Sequence, residues 1–77
     1  MEADRKIDCV GFYCPMPIVK TAQAMKEMEP GQVLEVLADD EGIRSDMPAW
    51  ANKTGNEFLG VEEEPGEIRV YVRKGPG

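Results

Sequence analysis

Residues 15–31 open with Pro-Met-Pro and close with Pro-Gly, and this bracket constrains the fold more than any other feature of the chain. Proline is tolerated in the first turn of a helix, where its missing N–H would have no partner, and it breaks a helix interior. A helix therefore begins at Pro15, with Pro17 still in its first turn, and stops at Pro30-Gly31. Between these limits Ile18, Ala22, Met25 and Met28, with Val19 adjoining, recur at helical spacing, while Lys20, Lys26 and Glu27 point elsewhere. On the N-terminal side, Arg5 to Cys9 reads as a short strand, with Ile7 and Cys9 on one face and Lys6 and Asp8 on the other, ended by Gly11. On the C-terminal side, Val33 to Ala38 is a mostly apolar strand between Gly31 and Asp39-Asp40. A parallel strand pair needs a crossover, and this helix supplies one.

A second helix is expected within Gly42 to Thr54, with Ile43, Met47, Trp50 and Ala51 along one side and Gly55 as the residue that ends it. Pro48 fits this helix in two ways: in a first turn capped by Asp46, or at a kink. Glu57 to Glu62 and Glu67 to Arg73 then form an antiparallel hairpin around Pro65-Gly66. In its second strand Ile68, Val70 and Val72 alternate with Arg69, Tyr71 and Arg73, which predicts one buried and one wet face. The order β-α-β-α-β-β gives an α+β fold, a two-layer α/β sandwich in which two helices cover one face of a mixed four-stranded sheet. With 77 residues in all, one domain spanning 1–77 is expected.

Charge narrows the function classes. Nine basic residues face fifteen acidic ones, for a net charge of −6, the reverse of the clustered Lys and Arg by which proteins neutralise phosphates. Direct nucleic-acid binding is not expected, and a basic protein partner is easier to accommodate. The acidic runs Asp39-Asp40-Glu41 and Glu62-Glu63-Glu64 read as solvated loops and turn flanks. There is no histidine, which removes Cys-His and Ser-His-Asp catalysis, and a zinc site would have to add two carboxylates to the two cysteines. No metal and no cofactor are expected. No apolar stretch approaches the roughly 18 residues of a membrane span, and two cysteines are few for a secreted domain of this size, so a cytoplasmic protein with reduced thiols and no membrane partner is expected.

The chemistry then rests on Cys9 and Cys14. Cys14 stands at or beside the N-cap of the first helix, where unpaired N–H groups and a partial positive charge stabilise a thiolate. Pro15, Pro17 and Gly11 shape the loop that carries it, the prolines by fixing φ. The alternative for Cys14 is a small apolar residue packed beneath the loop. Cys9 shares a strand face with Ile7 and reads either as a core thiol or as a resolving partner for Cys14. Trp50, the one tryptophan, reads as core.

These residues resemble the TusA/SirA-type sulfur-carrier family over nearly the whole chain. The signature Asp-x-x-Gly-x-x-Cys-Pro-x-Pro is met by Asp8, Gly11, Cys14, Pro15 and Pro17. A second stretch is also similar, Ala38-Asp39-Asp40 followed by Asp46-Met47-Pro48-Ala49-Trp50. The resemblance implies that Cys14 carries sulfur as a persulfide, loaded by a cysteine desulfurase or a rhodanese-like donor. A downstream acceptor protein in tRNA thiolation, molybdenum-cofactor maturation or sulfur metabolism would then receive it. Two other readings stay open: a small dithiol redox protein using Cys9 and Cys14, and a non-catalytic regulatory or interaction module.

Overall fold

The computed structural model describes residues 2–13 and 16–76. Four strands and two helices follow the order β1 (Arg5–Asp8), α1 (Met16–Lys26), β2 (Val33–Ala38), α2 (Ile43–Thr54), β3 (Glu57–Glu64) and β4 (Glu67–Arg73). The sheet order is β1-β2-β4-β3. β1 runs parallel to β2, as the α1 crossover requires, and β4 is antiparallel to both β2 and β3. The expected two-layer α+β sandwich is what the chain forms, with both helices on one face.

That covered face is built from residues that pair across the strands. Ile7 opposes Val36, Val36 opposes Val70, and Val70 opposes Val61. Leu34, Val36, Ala38, Ile68, Val70 and Val72 are buried here beneath Met25, Met28, Ile43, Met47 and Ala51 of the helical layer, with Trp50 half-buried against the cluster. Fully burying a side chain of this size contributes about 1.5–3 kcal/mol, so a dozen such positions hold a domain of this length.

The helix faces differ in detail from expectation. On α1 the buried positions are Pro17, Thr21, Ala24 and Met25, while Ile18 is half-buried and Val19 is exposed. Thr21 is admitted because its hydroxyl donates to the Pro17 carbonyl at 2.7 Å, which satisfies its polar atom inside the core. α2 starts at Ile43, so Asp46 is inside its first turn and does not cap it. The chain enters through i→i+3 bonds from Ile43 to Asp40, Arg44 to Glu41 and Ser45 to Gly42, and the Asp40 carboxylate accepts from the Gly42 amide at 3.1 Å. Pro48 is thus an interior residue, and its missing N–H leaves the Arg44 carbonyl without an i→i+4 donor. Gly55 ends α2 in the left-handed region at φ 79°, and the Asn56 amide reaches back to the Ala51 carbonyl at 2.8 Å.

The C-terminal segment closes both helices. The Lys74 ammonium donates to the Met25 and Met28 carbonyls at 2.6 Å each, adding to the Met28 amide that already donates to the Met25 carbonyl and placing a cation at the negative end of α1. Next to it the Gly75 amide donates to Asn56 Oδ1 at 2.9 Å.

The other face of the sheet is not uniformly wet. Tyr71 is only 2% exposed, and its phenol oxygen lies 2.8 Å from Glu35 Oε1 and 2.9 Å from Glu62 Oε1. A phenol has one proton, so it donates to one of these carboxylates at a time. Two residues of the supposedly solvated acidic run have similar duties: Glu63 pairs with Arg44 and Glu64 with Arg69.

Burial and the two adjacent carboxylates push the Tyr71 pKa up from 10.0, and burial, then Asp8, pushes the Cys9 thiol up from 9.0. The folded chain therefore keeps protons that the unfolded chain releases. The stabilisation is complete below the ordinary pKa values and is lost as pH rises above them. The melting temperature is expected to hold from neutrality to about pH 8.5 and then fall, with Tyr71→Phe removing the part of the fall that begins near pH 10. Melts of both proteins across this range check it, and identical alkaline profiles would contradict it.

Candidate functional site

The loop between β1 and α1 emerges at the carboxyl ends of the parallel strands β1 and β2, the position where open α/β sheets place their ligands. The Cys9 amide extends the parallel pairing by donating to the Leu37 carbonyl at 2.7 Å. The chain then turns, and each successive amide is taken. Val10 N–H donates to Asp8 Oδ1 at 2.9 Å, Gly11 N–H to Asp39 Oδ1 at 3.1 Å, and Phe12 N–H to the Cys9 carbonyl at 3.1 Å. Gly11 has φ 89°, a value L side chains rarely adopt, which is why glycine stands at this point of the turn. The Met16 amide returns to the Tyr13 carbonyl at 2.8 Å as α1 begins. Two carboxylates, one from the end of each parallel strand, thus hold the loop by its backbone.

Cys14 and Pro15 lie outside the described residues. By chain position Cys14 is two residues ahead of the first residue of α1. Of the remaining predicted site residues, Gly11 forms the turn, and Pro17 is buried as the second residue of α1. Cys9 has no exposed surface and belongs to the core cluster, and its burial, reinforced by Asp8, keeps it protonated.

Side chains of the loop face outwards. Tyr13 is 75% exposed, and Val10, Phe12, Met16 and Val19 are exposed beside it. From α1, Lys20 reaches over the Phe12 ring with its ammonium 5.5 Å from the centroid, an attraction of about 0.5–1 kcal/mol at an exposed site. Sequence reasoning overlooked the roles of Asp39 and Lys20. Asp39 reads as part of a solvated acidic run, and the signal for its role is its place in Ala38-Asp39-Asp40, at the end of a strand parallel to β1.

A family model described as Sulfurtransferase TusA matches residues 5–74. The chain belongs to the TusA family. The protein YrkF of Bacillus subtilis (strain 168) is 48% identical over 75 residues, which cover 97% of this chain and 40% of YrkF. The sulfur carrier protein TusA of Allochromatium vinosum is 38% identical over 71 residues, covering 92% of this chain and 93% of that one. A crystal structure of the SirA-like protein from Desulfitobacterium hafniense superposes with a TM-score of 0.75 at 32% identity, covering 92% of this chain and 97% of that one. This TusA-family chain spans only about two fifths of the length of YrkF and of an Aquifex aeolicus relative. Among its described residues no group of three His, Cys, Asp or Glu side chains is arranged to hold a metal ion, and no helix is long and apolar enough to cross a membrane.

Proposed function

We propose that this TusA-family domain is a sulfur carrier in which Cys14 holds the cargo as a persulfide. The observation that carries the assignment is the state of the other thiol. Cys9 is fully buried with its pKa raised, so it lacks the accessible thiolate that sulfur exchange needs, and Cys14 is the thiol left for the chemistry. The loop supports this reading, since its backbone is tethered to Asp8 and Asp39 and leads directly into the positive end of α1.

In the proposed step the Cys14 thiolate attacks the outer sulfur of a donor persulfide, R–S–SH. A new S–S bond forms at Cys14, the donor S–S bond breaks, and its electron pair leaves on the donor sulfur as a thiolate. The sulfane sulfur moves without net oxidation, and the same exchange in reverse delivers it to an acceptor thiol. No cofactor enters this exchange. The donor is a cysteine desulfurase or a rhodanese-like protein, and the acceptor is a second protein of a sulfur relay, such as one serving tRNA thiolation or molybdenum-cofactor maturation.

Intact mass spectrometry after incubation with a cysteine desulfurase and cysteine tests the proposal. A gain of about 32 Da that reductant removes is expected for the wild type and is expected to be absent in Cys14→Ala. A Cys14→Ala protein that still gains the sulfur would sink the assignment. A loss of about 2 Da in the wild type would instead establish a Cys9–Cys14 disulfide and the dithiol redox reading.

A further inference from the structure

Every large apolar side chain that is exposed among the described residues falls between positions 10 and 19: Val10 at 46%, Phe12 at 38%, Tyr13 at 75%, Met16 at 39% and Val19 at 40%. Scattered exposed apolar residues need no explanation, but a single cluster of them marks an interaction site. Aromatic residues and Met are also the types enriched at interfaces between proteins.

A second feature adjoins this knob. Asp39, whose carboxylate holds the Gly11 amide at its base, also lines a hollow of about 230 Å³ with Glu41, Arg44, Glu63, Glu64 and Glu67. Arg44 in the lining is engaged by Glu41 and Glu63, and Arg69 beside it holds Glu64 and Glu67, so five carboxylates meet two guanidiniums and the hollow keeps a negative excess. The hollow is below the roughly 300 Å³ at which small-molecule sites begin. Its charge and size suit one basic side chain brought in by a larger partner.

We propose that the knob and the acidic hollow form one docking surface for the protein that donates sulfur. That donor presents an apolar socket for Tyr13, Met16 and Val19 beside an Arg or Lys that enters the hollow. The apolar part supplies affinity, and the acidic part supplies steering and register. Exposed Val19, which helical periodicity assigns to the core, belongs to this surface.

The inference rests on the carrier reading of Cys14, and the test separates the two. Sodium tetrasulfide loads a thiolate without docking: the thiolate attacks one S–S bond of the polysulfide, gains a sulfur and releases trisulfide. Initial loading rates are measured by intact mass with tetrasulfide and with the cysteine desulfurase encoded in the same genome, for the wild type, Tyr13→Ser/Val19→Ser and Glu41→Gln/Glu63→Gln, each checked for folding by its melting temperature. The ratio of desulfurase rate to tetrasulfide rate is expected to fall roughly tenfold or more in the serine variant, chiefly through KM. The glutamine variant is expected to lose most of the salt dependence of the desulfurase KM. Wild-type ratios in the serine variant, an unchanged salt slope in the glutamine variant, or a wild type that the desulfurase loads no faster than tetrasulfide would each overturn the docking surface. A wild type that tetrasulfide cannot load would overturn the carrier reading instead.

Discussion

Gly75→Ala is expected to lower the stability of the domain by about 2–3 kcal/mol, the upper part of the range for forcing atoms into a filled site. A Cβ at this position would lie 1.8 Å from the Gly55 carbonyl oxygen and 2.9 Å from its carbon. Both are backbone atoms, so no side-chain rotation relieves the overlap. Either the C-terminal segment or the end of α2 has to move, and moving them parts the Gly75 amide from Asn56 and strains the Gly55 cap. Since about 1 kcal/mol shifts the melting point of a domain this small by about 4–8 °C, a drop of roughly 10–20 °C is expected. Urea or thermal unfolding monitored by the fluorescence of Trp50 measures it. A variant within about 2 °C of the wild type would show that the two segments separate at little cost.

Asp39→Ala is expected to slow sulfur loading of the domain by tetrasulfide roughly tenfold while leaving its melting temperature nearly intact. The carboxylate is the acceptor for the Gly11 amide, an exposed bond whose place water can take at little cost to global stability. Losing it frees the loop without opening the core, because Asp39 itself is exposed. The change therefore shows in the geometry offered by the loop and not in global unfolding. Asp39→Asn keeps an oxygen acceptor and removes the charge, so it should restore most of the rate. If alanine and asparagine behave alike, charge and not tethering is the contribution of this residue. If neither slows loading, the loop holds its shape without the tether.

The strands were legible because a period of two survives in short segments. Ile68, Val70 and Val72 marked the covered face of β4, and the β2 and β4 boundaries match the reading. Three kinds of information were hidden. Met25 and Met28 are buried as helical spacing predicts, but in the first half of α1 the buried positions are Pro17 and Thr21 in place of Ile18 and Ala22, because counting apolar residues skips Thr21, whose burial depends on a bond to the backbone at Pro17. Tyr71 was expected on a wet face, but carboxylates on both neighbouring strands, Glu35 on β2 and Glu62 on β3, enclose it, a relation that exists only once β4 is inserted between them. The span of α2 agrees with the range expected for it, but the sequence leaves Pro48 between a first turn capped by Asp46 and a kink, and the backbone bonds that wind the first turn from Asp40 place Pro48 in the interior. For the site, the local signature located the loop through Gly11 and Pro17. Of the two carboxylates that restrain it, Asp8 lies within that signature, but Asp39 comes from 28 residues beyond Gly11, and only its position at the end of a strand parallel to β1 points to it.

The loop is restrained through its main chain: the amides of Val10, Gly11 and Phe12 are bound, while the side chains of Val10, Phe12 and Tyr13 project away. Support and display are thereby assigned to different atoms of the same residues. Evolution can rewrite the displayed letters, exchanging aromatic for aliphatic or charged residues, without disturbing the scaffold beneath them. A small fold of this kind can change its associations by substitutions at three or four positions that leave the hydrogen bonds of the loop in place.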